Sequence, residues 1–248
     1  MFLVGDIGNT EIKICLFSKK SKLLKKVRIS STKLNYSKLD MHLNFLKSKK
    51  IQLNKIVFCS VVPGVFKIIK KYLEKNLKTR CYELKKISLK KLVEIKVNKK
   101  QIGSDRVANA ISVIDNINNF IVVDFGTATN FDVIIGKDYI GGILAPGVQL
   151  SLTSLSDKAS LIPRIQLEKV NNVIGKNTIT AIRSGFYHGY SGLIDNIIKL
   201  IIKQTGKHFN IILTGGLAYL FKNSIKGKVL IKKDLTINGV LKVAKNLK

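Results

Sequence analysis

Apolar and polar positions alternate at the start of the chain. Residues 2–4 are apolar, and after a turn-forming segment every second residue from Ile12 to Leu16 is apolar. A period of two is typical of a half-buried strand. Residues 2–17 are therefore predicted to form a β-hairpin with its turn around Asp6–Thr10.

The same patterns predict the other elements. Short apolar runs that end in glycine, proline or polar turns indicate buried strands, and apolar residues at spacings of three and four indicate helices. Strands are predicted at 56–62, 120–123, 131–135, 139–143 and 211–216, and helices at 37–50, 64–78, 104–117, 177–204 and 237–247. We expect Gly185, Gly189 and Gly192 to break the 177–204 helix.

One unit of this pattern occurs twice. Asp6-x-Gly-Asn-Thr and Asp124-x-Gly-Thr-x-Thr each follow an apolar strand and precede an alternating one. Two copies of a strand–turn–strand unit, half a chain apart, predict two related lobes. The N-terminal lobe is expected over residues 1–115 and the C-terminal lobe over 116–248, with the last helix able to pack on the first lobe.

Composition places the chain among folded proteins. Its 248 residues are 46% apolar and 24% charged, enough to bury a sizeable core. No apolar run approaches the ~20 residues of a membrane-spanning helix, and we identify no secretory signal. Three cysteines far apart exclude a disulfide framework or a CxxC zinc site and favour a reducing cytoplasm.

The net charge of +29 is concentrated in two regions: residues 1–100 carry +20 and residues 181–248 carry +10, whereas 101–180 carry −1. Such a charge can indicate a nucleic-acid partner. However, 39 of the 44 basic residues are lysine, whereas arginine is favoured for bidentate reading of phosphates and bases. We therefore interpret most of this charge, including the Lys-rich segments 19–26 and 85–100, as a solvated surface without a specific nucleic-acid partner.

The two repeated turns have the chemistry of phosphate loops. Glycine lets backbone N–H groups approach a phosphate closely, and hydroxyl or amide side chains add hydrogen bonds. A carboxylate at the strand end can hold a metal. Either turn alone could be an ordinary polar β-turn, but two of them, with Gly215-Gly216 after a third strand, favour phosphate binding.

A second candidate is Gly103-Ser104-Asp105-Arg106, where a loop meets a predicted helix start. Helix N-termini favour anions. Asp105 could act as a general base on a hydroxyl, and Arg106 could bind a carboxylate or phosphate. Without other evidence, this segment would be an ordinary helix start with a local Asp–Arg pair.

Seven motifs in order resemble the type III pantothenate kinases, the family that includes the Bvg accessory factor proteins. The resemblance spans nearly the whole chain. The motifs are DIGNTEIK at 6–13, SVVP at 60–63, GSDR at 103–106, VVDFGTATNFDVI at 122–134, GGILAPG at 141–147, NTITAIRSG at 177–185 and LTGG at 213–216.

The resemblance implies an α/β fold of two lobes, the actin-like ATPase fold of the acetate and sugar kinase/Hsc70/actin superfamily, with duplicated mixed sheets. It implies that ATP phosphorylates pantothenate to 4'-phosphopantothenate in the first step of coenzyme A biosynthesis. It also implies Mg²⁺, a monovalent cation (K⁺ or NH₄⁺), a homodimer and a cytoplasmic location.

Individual roles follow from the matching positions. Asp105 matches the catalytic base, and Asp124 matches the carboxylate that holds the monovalent cation. The resemblance implies that ATP contacts Asp6, Ile7, Gly8, Asn9, Thr10, Glu11, Ile12, Lys13 and Thr127. It implies that pantothenate contacts Gly103, Ser104, Asp105, Arg106 and Thr178.

The chain departs from the family pattern at a few positions. The family usually has a tyrosine and a proline shortly before Gly-x-Asp-Arg, and residues 96–100 contain neither; Ser104 stands where alanine is usual, and Asn130 where a threonine often follows the second loop. Two alternatives stay open at this point. One is a non-catalytic regulatory or nucleic-acid-associated protein on the same fold, and the other is a kinase of another small hydroxy acid or sugar.

Overall fold

The computed structural model describes residues 1–247. They form two compact units. The first unit contains residues 1–114 and 137–139 together with the C-terminal residues from 234 onward, and the second contains 115–136 and 140–233. No helix within residues 1–247 is both long enough and apolar enough to cross a membrane.

Eleven strands are present in the described residues. They are β1 (Phe2–Ile7), β2 (Glu11–Phe17), β3 (Leu23–Ser30), β4 (Lys55–Ser60), β5 (Cys81–Glu83), β6 (Glu94–Ile95), β7 (Phe120–Phe125), β8 (Ala128–Ile135), β9 (Asp138–Pro146), β10 (Asn210–Gly215) and β11 (Val229–Ile231).

Seven α-helices accompany them over the same residues. They are α1 (Tyr36–Leu43), α2 (Pro63–Leu77), α3 (Ser104–Val113), α4 (Val148–Lys158), α5 (Thr178–Thr205), α6 (Ala218–Phe221) and α7 (Leu235–Asn246), with 3₁₀ turns at Asn44–Lys47 and Leu84–Lys86.

The sheet of the first unit has the strand order β3-β2-β1-β4-β5. The β1–β2 hairpin is antiparallel, as predicted, and closes with Ile7 opposite Ile12. β4 runs parallel to β1 and places Cys59 opposite Asp6 and Ser60 opposite Ile7. Because parallel strands share their carboxyl edge, the end of β4 lies beside the first predicted phosphate turn.

Buried apolar side chains from the strands of the sheet and from the helices that flank it hold this unit together. Leu3, Ile14 and Phe58 are almost fully buried in one cluster with residues of α1 and α2. Gly5 is required on β1 because a Cβ there would overlap the ring of Phe58. This packing fixes the spacing between β1 and β4.

The C-terminal helix belongs to the first unit, where it packs on α3. A Cβ at Gly239 would overlap the carbonyl of Ala108, so the two helices are in backbone contact. Thr236 Oγ1 donates to Asn109 Oδ1 (2.8 Å), and Lys242 Nζ donates to Ile114 O (2.7 Å). α7 therefore supports the helix that begins with the GSDR motif.

The other sheet repeats the hairpin and its parallel neighbour. Its order is β11-β10-β7-β8-β9-β6. β7 and β8 are antiparallel, and β10 runs parallel to β7 with Thr214 opposite Asp124. The start of β9, at residues 138–139, belongs to the first unit and pairs there with β6. The predicted repeat of a strand–turn–strand unit is thus present in both sheets.

The prediction that glycines break the 177–204 helix was wrong. α5 is one helix of 28 residues, with Asn177 and Thr180 forming a capping box, and it ends at Gly206 in a left-handed conformation. An internal glycine costs about 1 kcal/mol relative to alanine. The buried side chains on the other face, including Ile194 and Ile198, offset that cost.

Several elements had no clear signal in the sequence. β3 is an edge strand rich in lysine, and most of its residues are exposed. Of its two lysines, Lys25 is exposed, whereas Lys26 is partly buried and pairs with Asp234, so the predicted solvated surface holds here only for Lys25. β5, β6 and β11 have only two or three residues each, and α4 was not predicted.

The contact between α3 and α7 gives a stability prediction. Gly239→Ala forces a methyl group into the backbone of Ala108, so we expect a loss of about 1–3 kcal/mol in the free energy of unfolding. Urea unfolding followed by circular dichroism measures it. Gly64→Ala on α2, whose Cβ position has no neighbour within 4 Å, is the matched control and should lose nothing. Equal midpoints for the two variants would contradict the packing argument.

Candidate active site

The first predicted phosphate turn lies between β1 and β2. Gly8 N–H donates to Glu11 O (3.0 Å), and the Ser31 hydroxyl donates to Gly8 O (2.6 Å). Ser31 N–H donates to Thr10 O (2.9 Å). Ser31 directly follows β3, a strand that the sequence did not predict, and its two hydrogen bonds to Gly8 and Thr10 fix the conformation of the turn.

The residues of this turn are not equivalent. Ile7 and Ile12 are fully buried in the core of the first unit, so only their backbone groups can face a ligand. Asn9 and Thr10 are exposed. Ligand contacts by side chains are therefore limited to the polar positions of the turn.

Charged side chains flank the turn on β2 and β3. Lys13 lies opposite Asp6 on the hairpin, and its Nζ is 3.8 Å from Glu11 Oε2. Arg28 Nη1 on β3 is 3.6 Å from Glu11 Oε1. The two cations equal the carboxylates of Glu11 and Asp6 in number. Lys13 and Arg28 are therefore the sources of positive charge that a phosphate could meet beside an otherwise neutral group of side chains. Arg28 lies on β3, outside all seven sequence motifs.

Cys59 is hydrogen-bonded to one of the predicted carboxylates. Its thiol donates to Asp6 Oδ1 (3.3 Å). Burial first, and then the negative charges of Asp6 and Asp105, raise the pKa of this thiol well above its usual range. Cys59 therefore stays protonated as a donor, and both Asp6 and Asp105 lie close enough to act on it electrostatically.

The GSDR motif forms the start of α3. Gly103 occupies the N-cap position in an extended conformation. Asp105 Oδ1 accepts a hydrogen bond from Arg106 N–H (2.8 Å), and a Cβ at Gly103 would overlap that same carboxylate oxygen. The guanidinium of Arg106 lies 5.9 Å from the ring centre of Tyr139. Asp105 is half-buried in the first turn of α3.

Ser104, which precedes the predicted base, is almost fully buried. Its hydroxyl accepts from Ser60 N–H (2.7 Å) and donates to Ser60 O (2.7 Å). The hydroxyl is thus engaged by the end of β4, and a ligand could meet Ser104 mainly through its backbone. In the first unit, the structure brings the turn, Cys59 and the GSDR motif to one sheet edge.

The second predicted phosphate turn follows β7 in the second unit. Gly126 and Thr127 are exposed at its tip. Gly147 N–H donates to Thr127 O (3.1 Å), and a Cβ at Gly147 would overlap that carbonyl. Thr129 Oγ1 donates to Pro146 O (3.2 Å). The end of the GGILAPG motif therefore supports this turn.

Oxygen-bearing side chains surround Asp124. Asn130 lies directly opposite it on β8, and Thr214 lies opposite it on β10, so all three side chains are on the same face of the sheet. Asn130 Oδ1 is buried without a hydrogen-bond partner. Carboxylate, amide and hydroxyl oxygens suit a hard cation, and an unpaired buried carbonyl oxygen fits one.

Residues 1–247 contain no group of three or more His, Cys, Asp and Glu side chains arranged to hold a metal. Any cation at Asp124 would therefore depend on neutral oxygen ligands such as Asn130 Oδ1. This composition is closer to an alkali-cation site than to a transition-metal centre.

Thr178 is the first residue of α5 and is exposed. Thr180 N–H donates to Asn177 Oδ1 (2.9 Å) and fixes this helix end. Thr178 belongs to the second unit and residues 103–106 to the first. A common pantothenate site for the two therefore stays a prediction.

The fold is that of the actin-like ATPases and sugar kinases. The activator of the 2-hydroxyisocaproyl-CoA dehydratase from Clostridium difficile, solved with bound ADPNP, matches 99% of this chain and 94% of its own at a TM-score of 0.56 and 12% identity. Component A of the (R)-2-hydroxyglutaryl-CoA dehydratase from Acidaminococcus fermentans matches 99% of this chain and 96% of its own, at a TM-score of 0.54 and 12% sequence identity. These likenesses confirm the predicted fold class.

Sequence comparison identifies the family. The family model of type III pantothenate kinases matches residues 2–200. The type III pantothenate kinase of Pelagibacter ubique (strain HTCC1062) is 56% identical over 248 residues, which cover both chains completely. The chain belongs to the type III pantothenate kinase family.

The thiols of the first unit give a reactivity prediction. Burial raises the pKa of Cys15 to about 11 and that of Cys81 to about 12, and it also raises the pKa of Cys59 well above its usual range. Because the thiolate is the nucleophile, a raised pKa lowers its fraction at any pH below it. We expect the native protein to react negligibly with DTNB at pH ~8, and all three thiols to react in guanidinium chloride. Rapid reaction of a native thiol would contradict the burial.

Proposed function

We propose that this protein transfers the γ-phosphoryl group of ATP to the 4'-hydroxyl of pantothenate, giving 4'-phosphopantothenate in the first step of coenzyme A biosynthesis. The observation that carries the proposal is the sheet edge of the first unit, where the glycine turn follows β1 and the start of α3, which carries Asp105, is hydrogen-bonded to the end of β4. Membership of the type III pantothenate kinase family supports it independently. No observation favours the regulatory or nucleic-acid-associated alternative.

Phosphoryl transfer asks a protein mainly for positioning and for stabilisation of charge. We propose that the turn Asp6–Lys13 and Thr127 bind the phosphates of ATP. The exposed backbone of the turn supplies N–H donors, and Lys13 offsets phosphate charge. Ile7 and Ile12 contribute through their backbone alone, because their side chains are buried.

Asp105 is proposed as the general base for the pantothenate hydroxyl. Its carboxylate is held by Arg106 N–H at the start of a helix, half-exposed on the sheet edge that carries the phosphate turn. Arg106 binds the carboxylate of pantothenate through its guanidinium. Gly103, Ser104 and Thr178 complete the substrate site in this proposal.

Two cations complete the chemistry. Mg²⁺ bound to the phosphates of ATP would supply positive charge that offsets theirs. Asp124, Asn130 and Thr214 would hold a monovalent cation, K⁺ or NH₄⁺, next to the second phosphate turn.

We also propose that the protein is a cytoplasmic homodimer. Gly185, Gly189 and Gly192 lie along α5 at spacings of four and three, and none has a neighbour within 4 Å of its Cβ position. Such a row of glycines permits close approach of a second helix. The three free, buried cysteines suit a reducing compartment.

The activity test is ADP release with ATP, Mg²⁺ and K⁺, with and without pantothenate. We expect release to depend on pantothenate, and Asp105→Asn to lower kcat by at least ~100-fold, because a general base contributes about 10²–10⁴-fold. Asp157→Asn, at an exposed aspartate on α4, is the matched control and should keep the wild-type rate. A panel of other small hydroxy acids and sugars distinguishes a changed substrate, and preference for one of them would overturn the assignment of pantothenate.

The cation site has its own test. Asp124→Asn removes the charge that the cation neutralises, so we expect about a tenfold rise in the K⁺ concentration needed for half-maximal activity. The thermal shift caused by K⁺ over Na⁺ in the wild type should disappear in the variant. An unchanged K⁺ response would place the cation elsewhere.

A further inference from the structure

We propose that the end of β4, Cys59 and Ser60, is a spacer that sets the positions of Asp6 and Asp105. The two positioning groups are the Cys59 thiol and, on α3, the Ser104 hydroxyl that bonds Ser60. Neither group is proposed to touch a substrate through its side chain. The inference rests on the proposed function for the roles of Asp6 and Asp105. Its geometry stands on hydrogen bonds within the first unit alone.

The Ser104 hydroxyl bonds the two backbone groups of Ser60 that a neighbouring strand would otherwise bond. Val61 N–H donates to Ile7 O on β1 (3.1 Å), so the N–H and C=O of Ser60 point away from β1, because these groups alternate along a strand. β5 lies on that side, but it ends at Glu83, opposite Phe58. The single hydroxyl of Ser104 satisfies both backbone groups of Ser60, each at 2.7 Å.

This arrangement couples α3 to the sheet at its first residue. Ser104 is 1% exposed, so losing its hydroxyl would leave a buried donor and a buried acceptor of Ser60 unpaired. The next residue is Asp105, whose carboxylate is already folded onto Arg106 N–H. Fixing Ser104 to Ser60 therefore fixes the base relative to β4.

Cys59 performs the matching task for the other carboxylate. The thiol is fully buried and donates to Asp6 Oδ1 at the end of β1. Because Cys59 and Ser60 are adjacent residues of one strand, the two contacts have a fixed separation. Contacts with the same two residues, Cys59 and Ser60, therefore set the positions of both the phosphate turn and the base.

The two positioning groups have different kinetic signatures. Ser104→Ala should lower kcat about tenfold and leave the KM for ATP within about twofold, because a misplaced base slows the chemical step. Cys59→Ala should raise the KM for ATP about fivefold, and Cys59→Ser should restore it, since a hydroxyl can donate to Asp6. Ser104→Cys, with a weaker donor, should lie between wild type and Ser104→Ala.

Matched controls separate positioning from stability. Ser191 is a buried serine of the second unit whose hydroxyl donates to Tyr187 O (2.6 Å) and pairs with Ser224 Oγ (2.9 Å). Cys81 is a buried thiol with no contact to Asp6. Ser191→Ala and Cys81→Ala should lower the melting temperature but leave kcat and KM unchanged. Equal kinetic losses in the controls would overturn the proposal.

A double variant tests whether Ser104 acts through Asp105. In the Asp105→Asn background, Ser104→Ala should leave the residual rate within about twofold. A further tenfold loss would show that Ser104 acts independently of the base and would overturn this part.

A readout without turnover keeps the spacer testable if the proposed kinase activity fails. Amide hydrogen exchange at Ser60 and at residues 104–107 should be faster in Ser104→Ala than in wild type and Ser191→Ala, because the contact that protects them is gone. Unchanged exchange would overturn the spacer itself. Faster exchange with no pantothenate-dependent ADP release would overturn only the proposed function.

Discussion

The parallel pairing of β1 with β4 is the constraint on which the candidate active site depends. It places Cys59 beside Asp6 and Ser60 beside Ile7 at one edge of the sheet. The first phosphate turn follows β1 at that edge, and α3 is bonded to the last residue of β4. Without this register, the turn and the GSDR motif would be separate features of the first unit. The overlap that forces glycine at position 5, under Phe58, shows how closely the pairing is packed.

The second sheet repeats this strand pairing, but different side chains meet beside its carboxylate. β7, β8 and β10 repeat the hairpin and its parallel neighbour, but the residues that meet are Asp124, Asn130 and Thr214. In the first unit, the parallel neighbour β4 supplies a thiol donor beside the carboxylate. In the second, the parallel neighbour β10 supplies the hydroxyl of Thr214 and the hairpin partner β8 supplies the amide of Asn130. One backbone arrangement therefore places a thiol donor beside the carboxylate in one copy and neutral oxygen atoms beside it in the other.

Sequence patterns predicted the parts of the fold in which local and tertiary preferences agree. The hairpin of β1 and β2, the strand at β4 and the helix α2 lie close to their predicted bounds because apolar periodicity and turn residues coincide there. β3 carried no such signal, since an edge strand exposes most of its residues. The glycines of α5 do not break the helix, because its buried face stabilises a long helix beyond what local propensity predicts.

The sequence motifs predicted which residues belong to the candidate site, but they did not predict the contacts that support those residues. Seven short segments indicated the family and the residues to examine. The supporting groups, Ser31, Arg28 and Cys59, lie outside the polar motifs or are apolar in character, so nothing in their local sequence points to Gly8, Glu11 or Asp6. Their roles depend on strand register, which a motif does not specify.

The position of α7 has a consequence for biosynthesis. The first unit is discontinuous in sequence: residues 1–114 form most of it, yet the helix that packs against α3 comes from residues 235–246. Domains generally fold as units during synthesis. Here the ribosome must translate the entire second unit before α3 can acquire its packing partner. Until then, the apolar face of α3 around Ala108 remains uncovered, so the first unit of the nascent chain stays incomplete until residues 235–246 have been translated.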